Sequence, residues 1–167
     1  MAPSDTRQAP AAQGKARLVT EDLEKPLLDD RSYRVIKLAN EMEVALVHDP
    51  KADKASASMD VNVGNFSDEA DMPGMAHAVE HLLFMGTKKY PGENDYSQYL
   101  SSNSGHSNAY TASTSTNYYF DISAKPANDE DPTEANPSPL LGALDRFSQF
   151  LWNRSSLNLP LTASSRP

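Results

Sequence analysis

The chain contains no cysteine, which excludes disulfides, thiolate nucleophiles and Cys-based zinc sites. It also lacks any apolar run near the roughly 18 residues of a membrane span, and its N-terminus lacks the apolar core of a secretory signal. These absences together point to the cytoplasm. Long basic stretches are missing too. Fifteen Lys and Arg stand against 23 Asp and Glu, a formal charge of −8 over 167 residues, which argues against nucleic-acid binding. Apolar residues make up 38% of the chain, below the roughly 45–50% usual in globular domains, so part of it is expected not to fold. Histidine is scarce, with four in the whole chain. Any transition metal must therefore be held by those His and by carboxylates.

Residues 1–19 are rich in Ala, Pro and Gln without apolar periodicity and read as a disordered tail. From Tyr33 the pattern alternates as a strand, turns at Asn40-Glu41 and returns over Glu43–Val47 as a hairpin. Ala55 to Phe66 alternates again, with Ala57, Met59, Val61 and Val63 on one face, and reads as a third strand in series. The period then changes. After Pro73-Gly74, the segment Met75 to Met85 carries apolar residues at helical spacing and stops at Gly86. Asp95 to Ser102 reads as a second helix with Tyr96, Tyr99 and Leu100 inward. Asn108–Ser113 and Tyr118–Ser123 read as two further strands. An acidic, proline-rich loop spans 125–138, and Pro139 opens a helix with Leu140, Leu141, Leu144, Phe147 and Leu151 along one stripe. Residues 151–167 are Ser-rich and aperiodic.

Within the first helix lies His77-Ala78-Val79-Glu80-His81. Residues four apart on a helix share a face one turn apart, so both imidazoles can point at one ion. Glu80 projects from nearly the same side, where a carboxylate can take a proton from metal-bound water. Zinc suits imidazole nitrogen and needs no redox partner, and His-x-x-Glu-His is the inverted form of the common zinc-peptidase motif. Against this stands the plainer reading of two surface His with Glu80 as an ordinary ion-pair partner.

The segment GMAHAVEHLLFMGTKKYP, residues 74–91, strongly resembles the inverted zinc motif of the insulin-degrading-enzyme (insulysin) and pitrilysin-like family of zinc metallopeptidases. The likeness continues through ENDYSQYL at 93–100, SNAYT at 107–111, TNYYFD at 116–121 and GALDRFSQF at 142–150. It implies an α+β fold, with a mixed, mainly antiparallel sheet covered on one face by helices, for a partial peptidase domain over residues 20–150. It further implies zinc as cofactor, His77 and His81 as its ligands, Glu80 as general base and peptides as substrates. Asn108 and Ala109 would bind substrate backbone by strand addition. Phe84 would line the site beside the scissile bond, or alternatively fill the core. His48 and His106 match no ligand position and read as surface loop residues.

One part of the pattern is missing. A catalytic zinc takes three protein ligands plus water, and the resemblance implies a third ligand on a Glu beyond residue 150, where the remaining 17 residues contain neither Asp nor Glu. The expectation is a C-terminally truncated form in which 151–167 is a non-family tail. Its function would be that of a zinc metalloendopeptidase with low or no activity alone. The alternatives are a non-catalytic peptide-binding or scaffold protein of the same fold, and a regulatory fragment that pairs with a full-length protomer.

Overall fold

The computed structural model describes residues 16–126 and 131–152, with residues 151 and 152 described as helix backbone. Most of the expected N-terminal tail, four residues of the acidic loop and nearly all of the C-terminal tail lie outside the described residues. The chain divides into two compact units between Ala52 and Asp53.

The first unit is a three-stranded antiparallel sheet in the order β1-β2-β3, formed by β1 (Arg17–Thr20), β2 (Ser32–Lys37) and β3 (Glu43–His48). The β2–β3 hairpin forms where expected, with Ser32 opposite His48 and Lys37 opposite Glu43. Its turn is closed by the Glu41 amide donating to the Leu38 carbonyl at 3.0 Å, with Glu41 at a φ of 69°. A left-handed residue ending a three-residue loop lets the strands keep their twist. Strand β1 is a correction. Arg17–Thr20 pairs with β2 although it overlaps the stretch read as a tail, because a short edge strand needs only a neighbour's free backbone groups.

In the second unit, β4 (Lys54–Val61), β5 (His106–Thr111) and β6 (Thr116–Ser123) form a second three-stranded sheet in the order β4-β6-β5. Strand β4 does not continue the first hairpin. Its partner is β6, from Lys54 opposite Ser123 to Val61 opposite Thr116. Between β4 and β5 the chain makes α1 (Met75–Leu83) and α2 (Asp95–Ser102), and α3 (Pro139–Trp152) follows β6. The α+β class holds. All sheet pairings among the described residues are antiparallel, so the mixed sheet is corrected. The helical crossover does leave β4 and β5 parallel, but β6 inserts between them and pairs antiparallel with both.

Burial alternates along β6, so Tyr118, Phe120 and Ile122 face the helices while Tyr119 faces away. Leu83, Tyr96, Leu100, Ala143, Phe147 and Phe150 complete the core. On α3 the buried stripe runs through Ala143, Phe147 and Phe150, while Leu141 and Leu144 are exposed at 61% and 38%. Helix α3 is fastened to the loop after α1 through Asp145. Its carboxylate accepts from Lys89 Nζ at 2.6 Å and from the Tyr90 hydroxyl, and Arg146 stacks over the Tyr90 and Tyr99 rings at 4.3 and 3.9 Å.

Helix α1 starts at Gly74, whose φ of 91° favours glycine and whose missing side chain leaves the helix without a cap of its own. The cap comes from Asp68. Its carboxylate accepts from the Gly74 amide at 2.7 Å and the Ala76 amide at 2.8 Å, satisfying two of the free donors of the first turn.

Two measurements follow. Lys89 and Tyr90 hold the Asp145 carboxyl below its ordinary range, so the ionised group stabilises the fold above pH ~4, and that contribution is lost as pH falls through the lowered value. Asp145→Asn is therefore expected to lower the urea midpoint at neutral pH, with the difference from wild type shrinking toward zero as pH drops below about 4. Asp68→Ala is expected to cost about 0.5–2 kcal/mol. Amide exchange should show protection lost selectively at Gly74 and Ala76.

Candidate metal centre

The buried stripe of α1 runs through Ala76, Glu80 and Leu83, four and then three residues apart. His77 and His81 are each one residue further along, about 100° round the helix, which puts them on an exposed shoulder. Sequence therefore separates the roles: the imidazoles face solvent and the carboxylate faces the sheet. The two Nε2 atoms lie 3.1 Å apart with ring centroids at 4.8 Å. Ligand atoms of His77, Glu80 and His81 all fall within 4.8 Å of one another. Tetrahedral zinc with bonds of about 2.0–2.1 Å needs two nitrogens roughly 3.3 Å apart. The pair fits such an ion, and neutral imidazole is a donor zinc accepts.

Burying Glu80 at 8% exposure demands a partner. Thr111, on β5, donates from Oγ1 to Glu80 Oε2 at 2.5 Å. The turn between β5 and β6 is tied in turn to the entry of α1. The amides of Asn65 and Phe66 donate to the carbonyls of Ala112 and Ser113 at 3.0 and 2.8 Å, and Thr116 Oγ1 donates to the Val63 carbonyl at 2.8 Å. Gly64 permits this approach, since an added Cβ would run into the Ala112 carbonyl and lie 2.7 Å from the Ser115 amide.

The other sequence candidates are placed as follows. Asn108 and Ala109 lie on β5, an edge strand of its sheet, opposite Tyr119 and Tyr118. Asn108 Oδ1 accepts from the Ala109 amide at 2.9 Å. Phe84 ends α1 and packs against Tyr96, Tyr118 and Phe150 at centroid distances of 6.1, 6.2 and 5.3 Å, which makes it a partly buried aromatic packed against the core. His48 and His106 are exposed but sit on strand ends rather than loops, and His106 Nδ1 faces Asp121 at 2.8 Å. Among the described residues no further acidic group joins the His77, Glu80 and His81 cluster. Sequence reasoning did not find Asp68, Thr111 or Thr116. Asp68 lies six residues before Gly74, outside the spacing of a local cap, and Thr111 lies 31 residues after Glu80, where only the fold can join them.

The chain was compared with known proteins. The Insulinase family (Peptidase family M16) matches residues 43–160, ten residues past Phe150. The A-factor-processing enzyme of Saccharomyces cerevisiae is 51% identical over 85% of the chain, and the insulin-degrading enzyme of Mus musculus 47% identical over 79%. The crystal structure of pitrilysin superposes with a TM-score of 0.70 and 33% identity, covering 81% of the chain and 13% of pitrilysin. The matched part amounts to 13% and 12% of the yeast and mouse enzymes. A family match across most of the sequence, a pitrilysin-like fold and an inverted His-x-x-Glu-His helix converge: the chain belongs to the insulinase (M16) family of peptidases.

Proposed function

We propose that this chain carries the metal-binding helix of a zinc-dependent endopeptidase, with His77 and His81 as zinc ligands and Glu80 as general base. The observation that supports it best is the pair of Nε2 atoms 3.1 Å apart on the exposed shoulder of α1, beside a buried carboxylate within 4.8 Å. Zinc bound there supplies Lewis acidity and a water acidified toward neutrality. The chain's own residues do the rest. His77 and His81 hold the ion as neutral imidazoles. Glu80, kept out of bulk water, takes a proton from the attacking water and returns it to the leaving amine. Asn108 and Ala109 on the open edge of β5 receive the backbone of an extended peptide by strand addition. Phe84, partly buried and one helical turn past Glu80, offers apolar surface to a neighbouring substrate side chain. We place this activity in the cytoplasm; among the described residues no helix is long and apolar enough to cross a membrane.

The make-up of the cluster on α1 supports a second reading. The His pair and Glu80 form the acidic and imidazole cluster found among the described residues, and residues 151–167 contain no Asp or Glu. Two protein nitrogens hold zinc less firmly than a three-ligand site that includes an anion. Under this second reading the chain has low or no activity alone and acts as a peptide-binding or regulatory subunit, with a full-length protomer as partner.

Zinc content and cleavage of a quenched fluorescent peptide by the purified chain test both readings. Glu80→Gln is expected to cut any chelator-sensitive turnover by about 10²–10⁴ while leaving zinc content nearly unchanged. Wild-type turnover in that variant removes Glu80 from its role, and undiminished zinc content in His77→Ala or His81→Ala removes the ligands from theirs.

A further inference from the structure

We infer that Thr111 is a positioning residue that holds one oxygen of Glu80 and so selects the other as the proton-transferring atom. The inference rests on the reading of Glu80 as the base. An ionised carboxylate only accepts hydrogen bonds, so in the 2.5 Å contact the Thr111 hydroxyl is the donor and Glu80 Oε2 the acceptor. This is the hydrogen bond that Glu80 makes among the described residues, and it leaves Oε1 unoccupied.

A count of protons shows why the arrangement is fixed. Each threonine hydroxyl has one hydrogen. Thr116 Oγ1 is 2.8 Å from the Val63 carbonyl and 3.4 Å from Thr111 Oγ1, so its hydrogen goes to the carbonyl. The Thr111 hydrogen goes to Glu80 Oε2 at 2.5 Å rather than to the neutral Thr116 Oγ1 at 3.4 Å. Oε2 is engaged by the Thr111 hydroxyl, and the hydrogen bonds beyond it end on the Val63 carbonyl, a poor proton acceptor, so that side offers no ready proton relay. On Oε1 the exchange closes. An O–H bond of water breaks as Oε1–H forms and the water oxygen bonds to the scissile carbonyl carbon. Oε1–H then breaks as N–H forms and the C–N bond breaks, releasing the amine, and the Thr111 hydroxyl keeps its hydrogen throughout. Thr111 also lies on the strand that bears Asn108 and Ala109. A peptide seated on that edge is thereby held in register with the carboxylate.

The test uses the full chain with ¹³C-labelled glutamate, and the Glu80 carboxylate infrared band is isolated by difference against Glu80→Gln. Thr111→Val is expected to shift the antisymmetric stretch, Thr111→Ser to restore the wild-type band, and Thr116→Val to leave it in place. Zinc content should be equal in all of these. Where the zinc-loaded chain turns over peptide, Thr111→Val should lower kcat about 10- to 100-fold with KM little changed, and Thr111→Ser should recover it. An unmoved band in Thr111→Val overturns the inference, as does a shift of equal size in Thr116→Val. If the valine variant does not fold, Thr111→Ala, which also removes the hydroxyl, gives the same decision, with a shifted band expected and an unmoved one overturning the inference. A shifted band together with full turnover in Glu80→Gln refutes the base reading instead and leaves the contact standing.

Discussion

A carboxylate on the sheet-facing stripe of a short helix has to be satisfied there, and much of the second unit is arranged around that demand. Glu80 occupies a position between Ala76 and Leu83 where an apolar side chain would pack without further help. Its partner, Thr111, comes from β5 and brings the end of that edge strand against the middle of α1. Once Glu80 points inward, the 3.6-residue repeat turns His77 and His81 out onto the shoulder beside it. Burial of one residue thus fixes the exposure of the other two.

Helix α1 is held at three places, and each uses a different kind of contact. Asp68 holds its N-terminus, Thr111 its middle, and the aromatic group of Phe84, Tyr96, Tyr118 and Phe150 its C-terminal end. The amides of Asn65 and Phe66 bind the turn between β5 and β6, so the chain entering α1 and the strand facing it share one set of backbone hydrogen bonds. Such support holds a site more narrowly than side-chain packing alone, because backbone contacts cannot change rotamer.

The parts of this arrangement that were legible in the sequence are those set by short-range periodicity. Three helices, the β2–β3 hairpin and the β5–β6 pair follow from apolar spacing and turn residues, and the His77–His81 spacing places both imidazoles on one face. Long-range pairing was not legible. Strand β4 alternates as well as any strand, yet its partner β6 lies about sixty residues on, and nothing local says so. On α3, choosing the bulkiest apolar residues selected Leu141 and Leu144, which are exposed, whereas the small Ala143 is fully buried where α3 packs onto the core. Tyr119 shows the same point on a strand: alternation turns it away from the helices although its neighbours Tyr118 and Phe120 are core. Thr111 and Asp68 act across the fold, so no spacing rule reports them.

Among the described residues the imidazole and carboxylate cluster on α1 consists of His77, Glu80 and His81. The two imidazole Nε2 atoms lie 3.1 Å apart, close to the spacing a tetrahedral zinc requires, and His77 and His81 fall within the residues that match the family. Zinc K-edge X-ray absorption on the full chain loaded with one equivalent of zinc tests the assignment most directly. The expected first shell holds two imidazole nitrogens at about 2.0–2.1 Å with the remaining positions filled by oxygen, and the imidazole signal should halve in His81→Ala. A shell without imidazole scattering, or one unchanged in that variant, contradicts the assignment of this helix as the metal centre.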